Sequence, residues 1–362
     1  MRKHYIDNLR WTCILLLIPF HAAMAWNSWG EGNYVYFGSN KVLSSVITTI
    51  GPWYMPLLFL LAGVSARFAL QRRTIGEFLI ERVKKLLLPF AIGSCTVVAC
   101  MTYIADRYNC GYTGDFIAHY QVYFTKFTML TGYDGGWTPA HLWFILYLFI
   151  VSLLTTLVFI LQRKLQPQFS CRGLTIVHIA LLGALPLAMY PVLNIADKSI
   201  GMYLILFLLG YYVISEERVM DKIEKYKAFF LCIGFVADVI YTYLCIWMEY
   251  TNEIVNTMIM FIASWCLIIA ILGYARKGFQ QDNRLTRYLS RRSFSFYIFH
   301  FVWLLVFQYA LSTVLESNIL LLYLLPMVGA LIMTLLTSEI IIRIPVLAFL
   351  YGLKPIKKRK TG

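Results

Sequence analysis

Long apolar stretches alternate with short polar ones along the whole chain, and the alternation is that of a protein threaded repeatedly through a bilayer. A helix needs about 20 apolar residues to cross the hydrocarbon core. Segments that meet this are expected at 9–29, 46–70, 86–106, 141–162, 174–193, 199–215, 228–248, 255–275, 293–311 and 319–342. Pro186 and Pro191 interrupt the fifth, and the sixth is short. The pattern predicts an all-α polytopic membrane helix bundle of about ten transmembrane helices. No polar stretch is long enough for a separate soluble module. The expectation is one integral membrane domain over 1–362, with a helical core at about 5–350 and a basic tail at 351–362. The first apolar run lacks a signal-peptide cleavage pattern, so it is expected to stay as the first helix.

Composition supports this class. Hydrophobic residues make up 60% of the chain and charged residues 14%, whereas a soluble domain carries nearer a quarter charged residues to wet its surface. The net charge of +14 does not point to nucleic acid, because the basic residues fall in short runs between apolar stretches rather than on one face. Threaded through ten segments, 28 of the 32 Lys and Arg residues fall on one side. The positive-inside rule makes that side cytoplasmic and puts both termini there, N-in and C-in, in a multi-pass protein of the cell membrane. Only Lys41, Arg107, Lys126 and Lys198 fall on the other side. The eight cysteines show no CxxC or metal-ligand spacing, so neither a metal site nor a disulfide framework is expected.

The longest exterior segment, 107–140, contains FIAHYQVYFTKFTML and then the turn-rich GYDGGWTP. Its aromatic and apolar spacing predicts an amphipathic helix lying in the outer interface. An aromatic platform for a sugar acceptor is compatible with that.

Ionisable side chains inside membrane helices are costly, so each is a candidate for function. In YIDNLRWTCILLLIPFHAAM, Arg10 and His21 are eleven residues apart, which places them on one face about 16 Å apart along the axis. Asp7 lies one turn before Arg10 and is placed to pair with it. His21 falls near the bilayer midplane, just after Pro19. A neutral imidazole there can take a proton from a hydroxyl or act as a nucleophile; it can equally be a structural group bonded to a neighbouring helix. Ser293, Tyr297 and His300 form one polar stripe, suited to orienting a partner or joining helices. His141 opens the fourth segment beside Trp143, facing an exterior substrate or belonging to the interfacial aromatic belt. Asp238 and Glu339 are also intramembrane, with Arg343 one turn from Glu339 as its expected partner. Between the second and third segments, GVSARFALQRRTIGEFLIERVKKLLLPF holds Arg72, Arg73, Arg82 and Lys85. Such a basic patch can grip a phosphorylated co-substrate, although no Walker or GxGxxG pattern accompanies it.

Five segments in order carry a resemblance: DNLRWTCILLLIPFH with its Arg-x10-His spacing, LLFLLAGVSARFAL with FLIERVKKLLLPF, AHLWFILYLF, SFSFYIFHFVW, and RIPVLAFLYGLKP. Together, over about residues 5–355, they resemble the acyltransferase family 3 membrane O-acyltransferases. That resemblance implies transfer of an acyl group, acetyl or succinyl, from cytoplasmic acyl-CoA to a hydroxyl of an extracytoplasmic glycan or glycolipid. It implies that His21 is the catalytic residue with Arg10 its companion, and that Arg82 and Lys85, with Arg72 and Arg73 nearby, hold the CoA phosphates. Asp7, His141, Trp143 and His300 are then candidates for binding substrate. The alternative class is a transporter or flippase of a glycan or lipid-linked sugar, which also needs intramembrane polar groups; no pair of corresponding broken helices in two halves supports it.

Overall fold

The computed structural model describes residues 3–127, 130–165, 171, 173–315 and 318–355. Arg2, Arg172 and the tail residues Lys357, Lys358, Arg359 and Lys360, all counted in the expected charge split, lie outside the described residues, as do Thr128 and Met129 of the expected exterior segment. The chain folds as helices His4–Met24 (α1), Lys41–Leu70 (α2), Ile75–Asn109 (α3), Phe116–Thr125 (α4), Ala140–Gln162 (α5), Ile176–Met189 (α6), Ile200–Ile214 (α7), Glu217–Trp247 (α8), Glu253–Gly278 (α9), Arg284–Ser312 (α10), Ile319–Arg343 (α11) and Pro345–Leu350 (α12). Strand pairing among the described residues is confined to a small hairpin that pairs Asn194–Ile195 with Lys198–Ser199.

Seven of these helices, α2, α3, α5, α8, α9, α10 and α11, are long and apolar enough to cross a membrane. Helix α1 has the length, but Asp7, Asn8, Arg10 and His21 dilute its apolarity. Helices α6 and α7 are apolar but shorter. Several helices also run well past the apolar segments expected from hydropathy. Helix α3 begins at Ile75, so the basic stretch before its apolar part is itself helical. Lys, Arg and Glu are good helix formers, and the ladder continues where hydropathy ends. Within α3, Pro89 has no N–H to give to Lys85, and the helix widens just before it, the Leu88 N–H reaching back to the Val83 carbonyl. The amphipathic helix expected in the 107–140 segment is α4, started by the Asp115 side chain accepting from the Ala118 N–H at 2.9 Å.

The chain separates into two compact units of interleaved sequence. The first holds residues 1–13, 45–81 and 147–290. Its helices α2 and α7 touch backbone to backbone: a Cβ on Gly63 would run into the Phe207 carbonyl, and one on Gly210 into the Leu60 carbonyl. Small residues permit this approach, which is how membrane helices gain dispersion contact where lipid offers no hydrophobic drive. Asn8 ties the start of α1 into this unit, its side-chain amide donating to the Phe279 and Gln281 carbonyls at 2.7 and 2.9 Å.

The second unit holds residues 14–44, 82–146 and 291–362. Here three consecutive residues of α11 make polar contacts with α10: Arg292 to Glu339 at 2.8 Å, Ser295 to Ser338 at 2.7 Å, and the Trp303 indole N–H to Thr337 at 2.9 Å. Glu339 keeps its expected partner, Arg343, and has a second one in Arg292. Arg343 stands 3.9 Å away and well exposed, while the buried Arg292 makes the shorter contact.

Candidate active site

Three imidazoles meet in the second unit, one from each of α1, α5 and α10. His141 is delivered by a tight turn. The Thr138 hydroxyl accepts the Ala140 N–H at 3.1 Å, Ala140 takes a left-handed conformation at φ 43°, and a single 3-10 turn, Ala140–Leu142, opens α5. The His141 Nε2–H donates to the Ile298 carbonyl at 2.9 Å, and the Tyr297 hydroxyl donates to the His141 carbonyl. His300 points its Nδ1–H at two carbonyls of its own helix, Phe296 and Tyr297, each at 2.9 Å. A carbonyl can only accept, so these contacts set both tautomers. They leave His300 Nε2 and His141 Nδ1 buried without a hydrogen-bond partner among the described residues.

His21 completes the group. Its ring centroid lies 5.4 Å from that of His300, which lies 5.5 Å from that of His141. His141 and His300 are 5% and 1% exposed, whereas His21 keeps part of its surface accessible. A column of rings supports it. His21 stacks on Phe301, Phe301 meets the edge of Tyr34 at 5.5 Å, and Tyr34 meets Tyr133 at 5.0 Å. The Tyr34 hydroxyl donates to the Thr131 carbonyl at 2.9 Å, anchoring the column to the loop before α5. One partly accessible imidazole, backed by two enclosed ones whose unpartnered nitrogens are acceptors, can take up a proton from a hydroxyl brought against it.

The other expected site residues are distributed as follows. Arg10 belongs to the first unit, where it contacts Asp7 at 3.4 Å, donates to the Leu61 carbonyl at 3.0 Å and bonds the Ser65 hydroxyl. The guanidinium thus links α1 to α2. Arg72 and Arg73 are exposed between α2 and α3, and Arg73 is paired with Glu81. Arg82 and Lys85 are half-buried in the second unit, at and within the widened turn of α3. Trp143 is half-buried, with Phe144 edge-on to it at 6.4 Å, and Phe144 in turn packs edge-on against Tyr297 at 5.6 Å. The enclosure of His141 corrects the aromatic-belt alternative for that residue. Phe301 and Tyr34 escaped the sequence reading; only Phe301, next to His300, carried any signal of place.

A further buried imidazole lies outside this group. The His119 Nε2–H donates to Asp106 Oδ2 at 3.1 Å, with Tyr103 and Tyr112 edge-on around the ring. Burial pushes its protonation below the ordinary histidine range, against the opposing pull of the Asp106 carboxylate.

A family model described as an acyltransferase domain matches residues 3–343. No curated protein and no solved structure matches the chain.

Proposed function

The chain belongs to the acyltransferase family 3 and is a multi-pass membrane acyltransferase; from that premise we propose that it moves an acetyl or succinyl group from cytoplasmic acyl-CoA to a hydroxyl of an extracytoplasmic glycan or glycolipid. The acceptor hydroxyl attacks the thioester carbonyl while His21 takes its proton. The carbon–sulfur bond then breaks, and the thiolate of CoA recovers that proton as the ester is released. The observation that carries this reading is the imidazole group in the second unit, of whose three histidines His21 is the most accessible. Arg82 and Lys85 hold the CoA phosphates. Arg10 supports the site by fixing α1 to α2, with Asp7 orienting it. Trp143 borders the acceptor, while His141 and His300 act from behind His21.

The sidedness follows from the charge split, with both termini in the cytoplasm and about ten crossings of the cell membrane. AHLWFILYLF, SFSFYIFHFVW and RIPVLAFLYGLKP look most like the corresponding stretches of glucans biosynthesis protein C, which succinylates periplasmic glucans, and this supports a glucan acceptor.

Membrane vesicles carrying the protein, supplied with radiolabelled acetyl- or succinyl-CoA, test the reading. Free CoA and labelled glycan should appear together with one of the two donors. His21→Ala should lower the rate about 10²–10⁴-fold at normal expression and insertion. A His21→Ala protein that acylates glycan at near the unmodified rate overturns the assignment.

A further inference from the structure

His300 is built to receive a proton donor that the resting fold does not supply. Its Nδ1–H is committed to the Phe296 and Tyr297 carbonyls, so Nε2 is a lone pair, and that nitrogen is buried and unpartnered among the described residues. An unmatched acceptor inside a low-dielectric interior is costly and calls for a role. His141 cannot satisfy it. Its one N–H already goes to Ile298, and its ring stands at 86° to that of His300. The remaining neighbouring imidazole is His21, with centroids 5.4 Å apart and planes inclined by 35°. At that separation an N–H of one ring can reach the in-plane lone pair of the other after a small rotation about the side chain.

We propose that His300 is the positioning residue for His21, accepting its N–H through Nε2 so that the opposite nitrogen of His21 is the one offered to the acceptor hydroxyl. This rests on the reading of His21 as the base. It gives a neutral imidazole the part that a carboxylate plays beside the histidine of a hydrolase triad. The bond is most valuable in the transition state. Once His21 holds the second proton, its N–H is a charged donor, and hydrogen bonds from charged donors are about twice as strong as neutral ones. The contact is therefore strengthened as the reaction proceeds, which is the condition for raising kcat rather than only improving binding. The backbone lock on Nδ1 keeps His300 from turning to offer its own N–H instead.

The experiment compares His300→Phe, which fills the space without an acceptor, with His300→Gln, whose side-chain carbonyl oxygen can accept the same N–H. The assay is CoA release from radiolabelled acetyl- or succinyl-CoA in membrane vesicles. His300→Phe should lower kcat about 10–100-fold and leave KM for acyl-CoA within about twofold, and His300→Gln should recover a substantial part of the loss. In a His21→Ala background, His300→Phe should cost little more, because the two residues act as a unit. Unchanged kcat in His300→Phe, or equal losses in the Phe and Gln variants, overturns the inference. Nitrogen-15 NMR of the unmodified protein with labelled histidine guards against a misfolded variant: a coupling across an N–H···N bond between His21 and His300 is expected, and its absence also overturns the inference. The readouts separate the two ideas. If His21→Ala is inactive while His300→Phe is normal, only the positioning role fails; if His21→Ala is active, the underlying function fails.

Discussion

His21 lies flat against Phe301, with ring centroids 4.1 Å apart and planes 16° from parallel. The stack restrains the tilt of the imidazole and so narrows the range of directions its ring nitrogens can take. An aromatic pair of this kind is worth about 0.5–1.5 kcal/mol beyond its area burial. If Phe301→Leu spends that much of the orientation of His21, kcat should fall about 2- to 12-fold with little change in KM, and Phe301→Tyr should keep most of the activity. Steady-state CoA release measures both variants; an unchanged kcat in Phe301→Leu would show that the stack does not orient the base.

The His119–Asp106 pair makes part of the second unit sensitive to acid. Burial favours neutral His119 in the folded state and lowers its pKa below the unfolded value. The stabilisation this gives is present in full above the unfolded pKa of about 6.5, and is lost as pH falls through the lower folded value. The protection factors of the α4 amides, taken against the intrinsic exchange rate at each pH, should therefore fall between pH 7.5 and pH 5, and the dependence should flatten in His119→Gln. Equal protection of α4 at both pH values in the unmodified protein would contradict this.

How much of this was legible in the sequence depended on whether the cause was local. The all-α class followed from apolar runs, and Asp7 beside Arg10 followed from helical spacing. Where helix continues through charged residues, as from Ile75 into α3 or from Glu217 into α8, hydropathy placed the boundary too late, because it registers the bilayer core and not the ladder. Glu339 shows the same limit from another side. Its neighbour Arg343, one turn away, was visible, while Arg292, 47 residues earlier in the chain, could be found only through the packing of α10 on α11. The three histidines were each singled out for being polar in apolar surroundings. That they converge, that backbone carbonyls set the tautomers of two, and that Phe301 backs the third are tertiary facts with no counterpart in spacing.

Sidedness is tested by cysteines at exposed positions in a background where the native cysteines, of which Cys95, Cys110 and Cys232 are exposed, have been replaced. An impermeant reagent added to intact cells should label Gln121→Cys on α4 and miss Gln71→Cys between α2 and α3. The reverse pattern would invert the proposed direction of acyl transfer. Asn194→Cys, in the hairpin between α6 and α7, tests the crossing count. Both helices are shorter than a usual span, so labelling from outside is expected only if each reaches across the bilayer. A protected Asn194→Cys would reduce the count from ten to eight.

The backbone contact between α2 and α7 makes the sharpest stability prediction. At Gly63 the obstructing atoms are the Phe207 carbonyl and the Tyr211 backbone nitrogen, and at Gly210 they are backbone atoms of Leu60. Backbone cannot turn aside as a flexible side chain can, so even one added methyl must push the two helices apart. Overpacking of this kind costs about 1–3 kcal/mol, and separation of the helices also forfeits dispersion contact along the seam. Arg10 raises the stakes, since its bonds to the Leu61 carbonyl and Ser65 hang on the stretch of α2 around Gly63. Gly63→Ala and Gly210→Ala should each lower the thermal unfolding temperature in detergent, and Gly63→Ala should lower activity as well. Gly76→Ala is the control. A Cβ there meets open space in a helix, and Ala is the better helix former by about 1 kcal/mol, so that variant should be at least as stable as the unmodified protein. Equal unfolding temperatures for Gly63→Ala and Gly76→Ala would show that α2 and α7 do not depend on this close approach.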